Sequence, residues 1–212
     1  MTFQPLTTQP TTDGTTGTQP TIDLDRRQDA RPDRPPYRRP ASNRPSPREL
    51  SHQLRLESDG DLHRRRWIVG LSFLGSTMAQ IVGLYQMGVI RRLPDPPFGP
   101  FDSSRVDASD YAYKRMQTPD ALLVLGTYAV TAILAGAGGR NRAETHPYLP
   151  IAMAAKTASD AVVAVKLGRE EWAENKALCA YCQVASAATM ASAVLAVPEA
   201  VRAVRHLAGR HA

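Results

Sequence analysis

Cysteine is nearly missing from this sequence, with two in 212 residues. That excludes a disulfide-rich scaffold and a zinc site built from four cysteines. Lysine is missing from the first 66 residues, which hold 12 Arg, nine acids and nine of the 17 Pro but no apolar run. Residues 1–21 are rich in Thr, Gln and Pro, and residues 26–48 intersperse Arg with Pro. Such a segment cannot bury enough apolar surface to offset the entropy of ordering, so residues 1–62 are expected to be a disordered tail. The tail has no basic start followed by an apolar stretch, so it does not read as a secretory signal. Its acids lie among its arginines, which favours a solvated tail over a lipid or nucleic-acid ligand; nucleic acid is not an expected partner. Pro47, Leu50, Leu54 and Leu56 are compatible with a short helix at about 47–58.

Charge is what the rest of the chain lacks. Residues 67–90 run 24 positions without a charged side chain, enough to cross a hydrocarbon core of about 30 Å. Trp67 and Tyr85 suit interfacial depths, and Gly75, Ala79 and Gly83 form a small-residue stripe that lets membrane helices approach closely. Residues 121–139 are also uncharged, with Pro119-Asp120 as a helix start and Gly138-Gly139 as a stop. Residues 177–198 are uncharged and carry Ala185, Thr189 and Ala193 as a second small stripe. Residues 149–168 hold Lys156 and Asp160, four apart on one helix face and placed to pair. The expected fold is therefore all-α: a four-helix transmembrane bundle over residues 63–205 behind the disordered tail. The mean hydropathy of −0.32 averages these two unlike parts. A soluble four-helix bundle is the alternative, suggested by Lys156, Asp160, Lys166 and the high Ala content.

Arg64, Arg65 and Arg66 precede the first span, Arg140 and Arg142 follow the second, and Arg202, Arg205 and Arg210 follow the fourth. These flanks fall on one side of a four-span bundle. The positive-inside rule makes that side cytoplasmic, although the opposing loops carry basic residues too. The reading is a multi-pass protein of the plasma (cell) membrane, both termini cytoplasmic, cysteines at the outer face. The outer loop, 91–118, should be extended at 92–97, where three prolines disfavour helix in the residues before them. Ser103 or Ser104 would then cap a helix over 105–116, with Val106, Ser109, Tyr113 and Met116 on one face, lying across the mouth of the bundle.

The two cysteines form Cys179-Ala-Tyr-Cys182. On a helix these positions share a face, and both the helix N-terminus and the CxxC spacing favour a thiolate. Such a pair can cycle between dithiol and disulfide. Two inert core cysteines or half a zinc site would show the same spacing. No His follows to support haem attachment. At the outer end of an apolar bundle, the natural electron partner of a dithiol is a lipid-soluble carrier such as a quinone.

Over about 67–200 the chain resembles the vitamin K epoxide reductase family. The resemblance rests on three stretches: Trp172 through Leu178-Cys179-Ala-Tyr-Cys182 into the fourth span; the loop Phe101-Asp-Ser-Ser-Arg-Val-Asp-Ala-Ser-Asp-Tyr-Ala; and Thr118-Pro119-Asp120-Ala121-Leu122-Leu123. It implies a membrane thiol–disulfide oxidoreductase with a quinone, of menaquinone or ubiquinone type, as co-substrate and no metal. It further implies that Cys182, deeper in the helix, reacts with the quinone, while Cys179, nearer the surface, exchanges with another thiol. Typical members carry a second cysteine pair in the loop after the first span; here Asp102 and Ser103 stand near where one would be. Electrons would then come directly from an external thioredoxin-like protein or a small thiol, because a fused thioredoxin-like domain is also missing. Ser109, Thr118 and Asp120 are candidates to bind the quinone carbonyl, each with a plainer reading as a helix cap or bundle hydrogen bond. Beyond quinone and thiol, membrane lipid is the expected partner. A non-catalytic membrane interaction protein that keeps the fold is the rival.

Overall fold

The computed structural model describes residues 46–57, 59–114 and 117–209. Most of the expected tail, and Met116, lie outside them. The chain runs α1 (Pro47–Leu56), α2 (Gly60–Gln86), α3 (Ser103–Asp107), α4 (Asp110–Tyr113), α5 (Asp120–Gly136), α6 (Arg142–Thr145), α7 (Tyr148–Asn175) and α8 (Ala180–Gly209). No strand occurs among the described residues beyond one isolated bridge between Phe101 and Leu178. The architecture is a four-helix membrane bundle of α2, α5, α7 and α8. Helix α2 packs on α5 and α8, α7 packs on α8, and α5 and α7 touch far less.

The long helices outrun the apolar segments that announced them. Helix α2 starts at Gly60, taking His63 to Arg66 into its first turns, and α8 continues to Gly209 through Pro198. Among the described residues three helices are long and apolar enough to span a membrane, while α5 is apolar but only 17 residues long. At most a third of any of these three apolar windows is buried within the protein. Phe73, Ile133, Val162 and Val194 are each more than 65% exposed. A soluble bundle would turn such side chains inward; here the apolar faces point outward, as a hydrocarbon surrounding requires. The protein is a membrane protein in contact with lipid.

The small-residue stripe of α2 works as expected against α5. A Cβ added to Gly75 would lie 2.1 Å from Cζ of Tyr128, and one added to Gly83 would meet Ala121 at 3.7 Å. On α8 the buried stripe is Ala185, Ala188, Ser192 and Ala196 rather than Ala185, Thr189 and Ala193. Spacings of three and four follow the helical period more closely than fours alone. Trp67 stays half-exposed, but Tyr85 does not sit free at an interface: its hydroxyl donates to Ser104 O (2.8 Å).

At one end of the bundle the basic flanks meet. Arg65 donates to Ala135, Ala137, Gly138 and Gly139 carbonyls, and Arg142 to Leu134 and Ala137 carbonyls. Two guanidinium groups thus satisfy the open carbonyls at the C-terminus of α5, where the helix dipole also favours a cation. Arg142 makes a bidentate pair with Glu199, 2.8 Å on each arm, and Arg202 pairs with Asp61. Lys156 pairs with Asp160 as the spacing predicts, and also donates to Thr127 O and Thr131 Oγ1 across to α5.

Candidate functional site

The opposite end carries the cysteines beneath the segment between α2 and α5. Leu178 N–H donates to Pro100 O (2.8 Å) and Asp102 N–H donates to Leu178 O (3.1 Å), which seats this segment against the start of α8. Tyr181 OH donates to Pro94 O and Tyr113 OH to Gln86 O, fixing the cover at both sides. The single helix expected over 105–116 is instead two short ones, α3 and α4, interrupted at Ala108-Ser109. Its cap is Asp102, whose carboxylate accepts from Arg105 N–H. The two serines are engaged elsewhere. Ser103 Oγ donates to Asp95 and accepts from Ala180 N–H, and Ser104 Oγ accepts from Leu93 N–H.

The N-terminus of α8 explains the geometry of the pair. A helix start leaves its first N–H groups without intrahelical acceptors. Cys179 takes the N-cap position: its carbonyl accepts from Gln183 N–H (3.0 Å) and its Sγ accepts from Cys182 N–H (3.2 Å). Ser103 takes the Ala180 N–H, and Glu171 on α7 takes the Cys179 N–H. The CxxC spacing thus makes the first cysteine cap the turn that carries the second. Both are free thiols.

Cys179 has no exposed surface, whereas Cys182 is partly exposed and lines a cavity. Cys179 stands at the outer end of α8 and Cys182 one turn further in, as expected, but the outer cysteine is covered. The covering segment buries Cys179, because Leu178 is drawn into the bridge with Phe101. The cavity has a volume of about 150 Å³ and lies among α2, α5, α7 and α8. Val82, Val124, Val163 and Leu167 give it apolar walls, and Tyr128, Thr189 and Ser186 give it hydroxyls. Tyr128 OH donates to Ala185 O (2.5 Å) and lies 2.8 Å from Thr189 Oγ1.

Of the three residues named for carbonyl binding, Asp120 lines this cavity, held by Gln86 Nε2 at 2.8 Å. Ser109 and Thr118 are not on its wall; Ser109 Oγ donates to Val106 O. Two acids outside the expected set complete the site. Asp107 and Glu171 are both buried and both line the cavity. One Asp107 oxygen and the two sulfurs lie within 4.8 Å of one another, which sets the Asp107 carboxyl beside the Cys179 thiol. Burial raises the Asp107 carboxyl from 3.8 to about 7 against the lowering effect of the neighbouring Cys179 thiol, with Asp120 and Asp95 adding to the rise. At Cys179 the hydrogen bond from Cys182 favours the thiolate, but burial and Asp107 together outweigh it and the thiol is raised.

By donor type, Asp107, Cys179 and Cys182 would suit a thiophilic metal ion. The hydrogen bonds already made to the Cys179 sulfur fit thiol chemistry better. The arrangement can form a disulfide, exchange protons with a neighbouring carboxyl, and hold a small flat apolar molecule against Cys182. The family model of the vitamin K epoxide reductase family matches residues 66–197, from the first turns of α2 to just past the middle of α8. No curated protein and no solved structure matches the chain.

Proposed function

Since this chain belongs to the vitamin K epoxide reductase family, a family of membrane thiol–disulfide oxidoreductases, we propose that its Cys179/Cys182 dithiol reduces a membrane quinone and becomes a disulfide. The observation that carries this reading is the position of Cys182 on the wall of an apolar cavity, with the Cys179 sulfur directly behind it. About 150 Å³ is the scale of a single six-membered ring. Quinone oxygens need donors, and Tyr128, Ser186 and Thr189 bring hydroxyls that can rotate to supply them. The Asp120 carboxyl, held by Gln86, stands on the same wall. The sparse contact between α5 and α7, where Val163 is half-exposed, gives a lateral route from lipid into the cavity.

Re-reduction falls to an external thiol, a thioredoxin-like protein or a small one, because no further cysteine exists to relay electrons. The covering segment has to lift for that thiol to meet Cys179. The basic end gathers Arg64, Arg65, Arg66, Arg140, Arg142, Arg202 and Arg205, which supports a cytoplasmic placement for it in the plasma membrane. Both termini then lie inside and the cysteines at the outer face.

The test is quinone reduction by the purified full-length protein in detergent, pre-reduced with a dithiol and freed of excess reductant. One equivalent of a short-chain quinone should be reduced per protein, and the Cys182→Ser variant should fall to the uncatalysed rate. A folded Cys182→Ser protein that keeps the parent's rate would overturn the reading.

A further inference from the structure

Four carboxyl groups line the cavity: Asp107, Asp120, Asp160 and Glu171. Three have strong partners. Asp120 accepts from Gln86, Asp160 is paired with Lys156, and Glu171 accepts the Cys179 N–H. Asp107 differs. It is 3% exposed, and its Oδ2 has no hydrogen-bond partner among the described residues. The charges that bear on it are all acidic: Asp95 from the segment after α2, Asp120 from α5 and Glu171 from α7. A buried carboxylate among like charges is costly, and the inexpensive way to relieve it is to take up a proton. The proton donor at hand is the Cys179 thiol, whose sulfur lies within 4.8 Å of an Asp107 oxygen.

We propose that Asp107 is a catalytic residue of the dithiol centre: it takes the thiol proton of Cys179 as the disulfide forms, hands it on to the quinone, and delivers a proton from the external thiol to Cys179 when the disulfide is reduced. This assignment rests on the dithiol–quinone reading above. The reaction moves two electrons and two protons. Cys182 forms a bond from its sulfur to the quinone, and its own proton goes to one quinone oxygen. Cys179 then attacks the Cys182 sulfur. The S–S bond forms, the bond from Cys182 to the ring breaks, and the electron pair stays on the ring. Cys179 attacks only as a thiolate. Its proton passes to the Asp107 carboxylate and from there to the second oxygen, completing the hydroquinone. In the return half, an external thiol attacks Cys179, and Cys182 leaves with that thiol's proton. A second external thiol displaces Cys179, which is reprotonated through Asp107. Two thiols become one external disulfide and the protein dithiol is restored.

The carboxyl is well matched to this task. Raised by burial to about 7, it both accepts and donates at neutral pH. It lies within 4.8 Å of both sulfurs and lines the cavity, which puts both partners of the transfer beside it.

The experiment uses the full chain in detergent as parent, Asp107→Asn and Asp107→Glu. Two quantities are read against pH: single-turnover quinone reduction by pre-reduced protein, and alkylation of Cys179 in a Cys182→Ser background. Asp107→Asn should slow turnover about 100-fold at neutral pH, the usual weight of a positioned acid–base group. The same change removes a negative neighbour, so Cys179 should alkylate at lower pH than in the parent. Easier ionisation together with slower turnover marks a proton carrier. A purely electrostatic neighbour would speed both, and an Asn variant that turns over as fast as the parent overturns the proposal. Asp107→Glu should recover most of the rate with a shifted pH midpoint. Should Asp107→Asn not fold, an Asp107→Glu midpoint unmoved from the parent's overturns the proposal, because another group would then be titrating. If the parent reduces no quinone, the dithiol–quinone reading fails by itself. An alkylation profile of Cys179 unchanged by Asp107→Asn would separately remove the coupling on which the proposal stands.

Discussion

The sulfur of Cys179 accepts the N–H of Cys182, and its thiol faces the Asp107 carboxyl, so one side chain closes the first turn of α8 and joins the acid beside it. That acid makes folding sensitive to pH. Folded, the Asp107 carboxyl holds its proton up to about 7; its ordinary value is 3.8. Between those values the folded chain binds more protons than the unfolded one, so stability falls as pH rises through that window. Asn at this position removes the effect. Asp107→Asn should flatten this part of the stability profile and, above the window, exceed the parent by on the order of a few kcal/mol. Thermal unfolding in detergent across the pH range measures both, and equal slopes in the two proteins would count against a raised carboxyl. Cys179 and Cys182 were legible in the sequence because CxxC is a local spacing. Asp107 and Glu171 were not. They come from the covering segment and from the far end of α7, and the folded chain brings them to the sulfurs.

Helix α2 shows how a small residue can serve a distant side chain. Gly75 leaves the space that the Tyr128 ring fills, and that ring sends its hydroxyl to Ala185 and Thr189 on α8. Gly75→Ala should therefore push Tyr128 off its acceptors, cost about 1–3 kcal/mol through overpacking and raise the KM for quinone. Gly83→Ala is the matched control, since its new methyl meets only ordinary contacts. Thermal unfolding and quinone kinetics on the two variants decide it; equal behaviour would mean the ring shifts without consequence. The apolar runs disclosed all four bundle helices, but not their ends. Charged residues such as Arg64 to Arg66 continue a helix once ion pairs and carbonyls receive them. The covering segment was harder to read. Ser103 has the chemistry of a cap, yet its hydroxyl serves Asp95 and Ala180, which leaves the capping to Asp102.

At the scale of the whole molecule the two ends of the bundle differ in kind. One is pinned by arginines to carbonyls and carboxylates; the other is a hydrogen-bonded cover over a dithiol. Helix α5 joins them and is shorter than its neighbours. Its 17 residues rise about 25 Å, less than the hydrocarbon core of about 30 Å. We expect this mismatch to be met by thinning of the bilayer beside α5. Quinone reduction should accordingly be faster in vesicles of short-chain lipid than in those of long-chain lipid. A rate independent of chain length would show that α5 does not set the local thickness. Asp120 and Tyr128 stand on this same helix, so on the dithiol–quinone reading such thinning would fall where the carrier leaves the bilayer. A quinone diffusing past α5 would then be lifted toward the depth of Cys182 by the lipid itself, before any side chain touched it.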